Sequence, residues 1–179
     1  DVGVAGPLAG FIFLVPALFI GVAYSKVIPE INVRGDIAFG VPPLLALAQS
    51  LLFPGAAPAD IYLHPIGRAA WVGLLATALN LLPIGQLDGG HILYSFAGRW
   101  HRALTHIFIA LLLPLGFLYS KSWIVWAVIL FLFARKHPRI HDRLPMGAGR
   151  AALALLSLAI FLSAFSLIPI RLLEPATGQ

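Results

Sequence analysis

The chain has 179 residues, of which 60% are hydrophobic and 11% charged, and its mean hydropathy is +0.93. Ordinary soluble domains carry about a quarter charged residues, so the composition excludes that class and points to a membrane protein. The absence of cysteine excludes disulfides and thiolate metal sites, and the net charge of +5 collects at segment ends, which fits membrane orientation rather than nucleic-acid binding.

The sequence reads as a single membrane-embedded domain over residues 1–179. Asp1 stands where a signal peptide would need a positive n-region, so none is expected at the start. The lack of an initiating Met is expected of a fragment. Residues 2–25 form the first predicted span. Gly3, Ala5, Gly6, Ala9 and Gly10 offer it a face of small residues, on which helices pack closely. Pro7 and Pro16 are expected to kink it.

Residues 26–68 form a connection. Lys26, Glu30, Arg34 and Asp36 keep its first part in water. Residues 39–53 are apolar but too short for a crossing, which takes roughly 20 residues. They are read as an interfacial or re-entrant helix starting near Pro42 or Pro43. Residues 54–60 form a loop. His64 is read as a surface histidine at a helix start, and Arg68 as a helix-end anchor that snorkels to the surface.

The second span covers residues 69–94, with Trp71 placed at the membrane interface. A third follows over 103–119, bent at Pro114. After the tight turn at 120–122, residues 123–133 make a fourth apolar run, and these two form a hairpin short for full crossing. Arg135, Lys136, Arg139, Arg143 and Arg150 then face Asp142 alone. The last span covers 151–170. The predicted fold is all-α: a polytopic membrane protein with about four to five transmembrane helices and one re-entrant or interfacial helix. The basic loops, with Arg99 and Arg102, place their ends on the cytoplasmic side. Residues 26–68 and Lys121 then lie opposite.

The chemistry concentrates in Asn80-Leu-Leu-Pro-Ile-Gly-Gln-Leu-Asp-Gly-Gly-His91. Between Asp60 and Arg99 the charged residues are Arg68 and Asp88 alone. An acid at membrane depth costs on the order of 3 kcal/mol on insertion scales, so it faces protein, water or a cation. Pro83 removes a backbone donor and disfavours helix at Leu82. Gly85, Gly89 and Gly90 loosen the chain on both sides of the acid. The stretch therefore reads as an interrupted helix that presents Asp88 and Asn80 to a protein-lined cavity.

Asn80, Pro83 and Leu87-Asp88-Gly89-Gly90 resemble the second signature of the site-2 proteases, intramembrane zinc metalloproteases. Asp1-Val-Gly-Val-Ala-Gly-Pro-Leu-Ala-Gly10 resembles the Gly-Pro-Leu-Ala-Gly element of bacterial and plastid members. Without its partner motif that run would pass for a generic glycine-rich packing face. His64-Pro65 also fits the family. The resemblance implies that Asp88 is the third zinc ligand and that Asn80 and Pro83 lie by the bound substrate strand. It implies two further histidine ligands and a catalytic Glu on a His-Glu-x-x-His helix. The 179 residues contain no such motif, so it is expected upstream, and the isolated chain is expected to be inactive.

The function so implied is zinc-dependent cleavage of a transmembrane segment of another membrane protein. The partners are that substrate and the lipid bilayer, with no nucleic acid. The implied location is a bacterial cell membrane, or else a plastid membrane. Catalytic zinc commonly has three protein ligands and one open position, and it lowers the pKa of bound water to about 7. Asn80 both donates and accepts, as an extended peptide requires. Gln86 is read as supporting the site.

Other histidines offer themselves as ligands. His91 lies three residues after Asp88, on the same helical face, and could share a metal with it. His137-Pro-Arg-Ile-His141 has zinc-pair spacing but no Glu after its first histidine. His101 and His106 are placed at the membrane interface. Two rival readings remain: a non-catalytic membrane relative, and a cation or proton transporter with Asp88 as its ion site.

Overall fold

The computed structural model describes residues 2–29, 31, 37–84, 87–97, 100–134 and 148–172. The fold is mostly helical. In chain order the helices are α1 (Val2–Ala23), α2 (Pro43–Leu52), α3 (Pro65–Asn80), α4 (Asp88–Ala97), α5 (His101–Leu118), α6 (Ser122–Ala134) and α7 (Ala148–Ala164). Four short strands join them: β1 (Lys26–Val27), β2 (Ile37–Phe39), β3 (Ile61–Tyr62) and β4 (Ile170–Leu172). Among the described residues, one helix is long and apolar enough to cross a membrane, over residues 4–23 of α1. The shorter apolar helical stretches there, Pro43–Leu52, Ala103–Leu118, Ser122–Leu132 and Ala151–Ala164, have 10–17 residues.

The all-α expectation misses two antiparallel ribbons. β1 pairs with β3, Lys26 opposite Tyr62, and β2 pairs with β4, Phe39 opposite Ile170. Strands of two or three residues carry too little alternation to be read from a pattern. The second ribbon brings the end of the last helical segment back to the first connection. Ser120 Oγ also donates to Ile170 O at 3.1 Å, so the α5–α6 turn sits at the same end of the molecule.

α1 runs unbroken through Pro7 and Pro16. α1 and α3 pack as the central pair, and their closest approach is at Gly21 and Gly67. A Cβ on Gly21 would collide with the backbone N and Cα of Gly67. The predicted small-residue face lies nearer the start of α1, yet a Cβ on Gly10 would meet nothing within 4 Å. Close backbone approach lets neighbouring side chains make dense van der Waals contact, the main attraction between helices in lipid. Leu18, Val22, Leu45, Ala48, Leu74 and Ala78 fill the core around this crossing. A second core joins the end of α3 to the α5–α6 hairpin through Leu82, Ile84, Ile109, Leu112 and Trp123. Gly116 keeps that hairpin tight, because a Cβ there would strike the Ile124 side chain.

Two side chains are held by contacts within the protein. Trp71 is buried at 3% exposure inside the protein. Its Nε1 donates to Gly40 O at 2.7 Å and its ring packs on Phe39. Arg68 is half-buried; its Nε donates to Leu63 O at 3.0 Å and its guanidinium lies over Tyr62. His64 stands at the start of α3 as expected, and there its Nδ1 caps the helix by accepting from Ile66 N at 3.3 Å. The basic loop 135–147, with His137 and His141, lies outside the described residues, as do Arg34 and Arg99.

Candidate metal centre

The predicted helix break is present between Asn80 and Asp88. Leu81 N still reaches Thr77 O at 3.0 Å, but Leu82 N turns to Leu79 O at 3.2 Å. Pro83 has no N–H to continue the ladder. Ile84 N then bonds Leu82 O at 2.7 Å, and Leu87 N bonds Ile84 O at 3.1 Å. Short turns thus satisfy the donors of Leu82, Ile84 and Leu87 within the protein, as a low-dielectric setting demands. Leu81, Leu82 and Ile84 are buried, and Leu82 and Ile84 anchor the break in the second core. Gly85 and Gln86 lie outside the described residues.

Asp88 opens α4, where the positive end of the helix dipole favours a carboxylate. Gly89 is packed against the break itself: a Cβ there would collide with the carbonyl oxygen of Leu81 and lie 2.5 Å from that of Leu82. The glycine therefore serves the chain's own turn, which folds over the start of α4. Asp88 is half-exposed on its other side. There it meets α1: a Cβ on Gly6 would lie 3.7 Å from Asp88 Oδ2. Gly6 belongs to the Gly-Pro-Leu-Ala-Gly run, so the structure brings together two motifs far apart in sequence.

Asn80 is the last residue of α3 and is exposed, and Pro83 is half-buried within the break. His91 follows Asp88 by one turn of α4, and its backbone N bonds Leu87 O at 3.1 Å. Among the described residues no three of His, Cys, Asp and Glu gather closely enough to hold a metal ion. The donor set within those residues therefore falls short of a zinc site. Asp88 can offer one carboxylate, and the other ligands would have to come from elsewhere.

His101 is a residue of this region whose contact pattern reading missed. It is buried at 3% exposure, where its Nε2 lies 3.0 Å from Gly90 O. The carbonyl can only accept, so the ring N–H donates. The ring also meets Tyr94 edge-on at 5.5 Å. His101 thus ties the first turn of α5 to the first turn of α4, two residues from Asp88. Its spacing from the Leu-Asp-Gly run carried no signal, because the contact depends on how two helices fold back.

Residues 1–119 match the model of peptidase family M50. The chain is 26% identical to the probable zinc metalloprotease EGY1, chloroplastic, of Arabidopsis thaliana, over 95% of this chain and 32% of that protein. It is 28% identical to the rice protein of the same name, over 95% of this chain and 30% of that protein. It is 36% identical to the probable zinc metalloprotease EGY2, chloroplastic, of Arabidopsis thaliana, over 75% of this chain and 24% of that protein. The chain thus spans a third or less of the length of these relatives. No solved structure matches it. The match covers both the Gly6 run and the Asp88 break that the fold brings face to face, and the chain belongs to peptidase family M50, the site-2 protease family.

Proposed function

We propose that this chain is the C-terminal part of the core of a multi-pass intramembrane zinc endopeptidase, with Asp88 as the third zinc ligand. The observation that carries the reading is the approach of Gly6 to the Asp88 carboxylate within the region that matches the family. The names of the relatives, zinc metalloproteases, support the metal. The two histidine ligands and the catalytic Glu lie outside these 179 residues. When bound, zinc supplies a Lewis acid and an activated water. The chain's own part is to hold a carboxylate at a helix start, with an exposed Asn80 at the edge of the break for an extended substrate backbone. The substrate is a transmembrane segment of another membrane protein.

Membrane residence rests on α1 and on the exposed apolar surface. Phe13, Phe117 and Leu118 are 77%, 80% and 76% exposed, and Leu132, Leu155 and Leu162 are exposed as well. So much uncovered apolar surface fits lipid contact. The proposed location is a bacterial cell membrane or a plastid membrane; the named relatives are chloroplastic.

A second reading is a non-catalytic relative that keeps the fold without zinc. One experiment separates the two. Full-length protein is assayed for zinc per chain and for cleavage of a membrane-anchored reporter, alongside Asp88→Ala. The protease reading expects stoichiometric zinc and cleavage, both lost in the variant. No zinc and no cleavage in the parent protein supports the scaffold. Zinc and cleavage retained by Asp88→Ala would defeat the ligand assignment.

A further inference from the structure

At the end of the bundle away from Asp88 lies a cavity of about 1130 Å³. Its distance from the acid follows from α1: Gly6 meets Asp88, whereas Gly21 meets Gly67, the neighbour of Arg68. Those glycines are separated by about 22 Å along the helix at ~1.5 Å per residue. The cavity is therefore a separate feature from the candidate metal centre. Its size is at the upper end for ligand pockets, which run to roughly 1,000 Å³.

The walls come from β2, α2, β3, the start of α3, the end of α7 and the segment after it. Val41, Leu45, Leu63, Leu162 and Phe165 make them largely apolar. Two polar groups interrupt this lining. Gln49 is buried at 3% exposure, and its Oε1 has no hydrogen-bond partner. Arg68 is held by two contacts: its Nε on Leu63 O at 3.0 Å and its guanidinium 4.7 Å from the centre of the Tyr62 ring. Neither contact is with an anion, and no carboxylate among the described residues pairs with it. A fixed cation on an apolar wall is costly until an anion compensates it. The guanidinium's remaining N–H groups form a planar fork suited to phosphate oxygens.

We propose that this cavity binds one phospholipid with an acidic headgroup, drawn from the surrounding bilayer. The phosphate is held at Arg68, and an acyl chain fills the apolar chamber. Leu162 and Leu167 line the chamber yet are exposed, so the chamber is continuous with surface of the kind that faces lipid. A headgroup hydroxyl is the kind of donor Gln49 lacks, which favours a glycerol headgroup. The inference rests on the membrane reading above but is independent of the protease reading.

The test uses full-length protein in neutral detergent, titrated with phosphatidylglycerol, with phosphatidylcholine of the same acyl chains, or with oleic acid. Retained lipid is counted by native mass spectrometry. The expected result is about one phosphatidylglycerol per chain, preferred roughly fivefold over phosphatidylcholine, the usual effect of one basic residue on an acidic lipid. Arg68→Gln should abolish the preference, and Arg68→Lys should keep most of it. Leu162→Trp, at an exposed position, should lower retention of both phospholipids by narrowing the chamber. Lipid-free melting curves confirm that each variant is folded. Equal retention of the two phospholipids by the parent protein overturns the proposal, as does an unchanged preference in Arg68→Gln. Arg68→Lys behaving like Arg68→Gln, or oleic acid displacing the phospholipid, also overturns it. Flotation with membranes tests the membrane reading separately; protein that floats but shows no headgroup preference sinks this inference alone.

Discussion

Gly6 and the Asp88 carboxylate face each other across α1 and α4, close enough that a methyl group on the glycine would lie 3.7 Å from Oδ2. That separation is ordinary van der Waals contact, so alanine fits and anything larger intrudes on the carboxylate. Gly6→Ala is expected to keep zinc binding and cleavage in the full-length protein. Gly6→Leu should lower both by an order of magnitude or more, with a melting temperature close to that of the parent because the site is exposed. Equal activity of the two variants would mean that the acid does its work on another side.

The α1–α3 crossing gives an asymmetric prediction. A Cβ on Gly21 would strike the Gly67 backbone, whereas a Cβ on Gly67 would lie 3.3 Å from the nearest Gly21 atom. Gly21→Ala should therefore cost about 1–3 kcal/mol, the usual range for overpacking, and Gly67→Ala distinctly less. Unfolding in mild detergent measures both. The same loss in each would show that the helices yield symmetrically.

Gly89→Ala places its methyl against the carbonyls of Leu81 and Leu82. Backbone cannot move aside as a flexible side chain can, so the turn over α4 should shift. The expected outcome is loss of cleavage together with a lowered melting temperature. An active, fully stable variant would refute the tight packing of the break.

His101→Ala leaves the buried Gly90 carbonyl without its side-chain donor. The expected cost is about 1–3 kcal/mol, with faster hydrogen exchange over the first turns of α4. His101→Gln, which keeps an N–H donor, should recover part of the protection. Unchanged exchange in the alanine variant would show that the bond does not hold α4 in place.

The break at Asn80 to Asp88 was legible because its causes are local. A proline removes a donor, glycines loosen the chain, and a lone acid in an apolar run needs a reason. The start of α2 at Pro43 and the cap at His64 were readable on the same ground. Gly21, Trp71 and His101 were not. Each owes its position to a residue distant in sequence: Gly67, Gly40 and Gly90. A glycine in an apolar helix looks the same whether it meets a backbone or open space, as Gly21 and Gly10 do. The β2–β4 ribbon was hidden for the same reason, since its two strands come from opposite halves of the chain.

That ribbon bears on where the folding unit stops. The match to the family ends at residue 119, yet β2 takes its partner from residues 170–172. Gly40 N bonds Pro169 O at 2.8 Å, and Trp123 Nε1 bonds Leu167 O at 2.7 Å. The terminal segment acts as a clasp, closing early and late parts of the polypeptide onto one another. Cutting at the family border would strip β2 of its neighbour and uncover an edge beside Trp71. The smallest unit able to keep this architecture therefore reaches at least to Leu172.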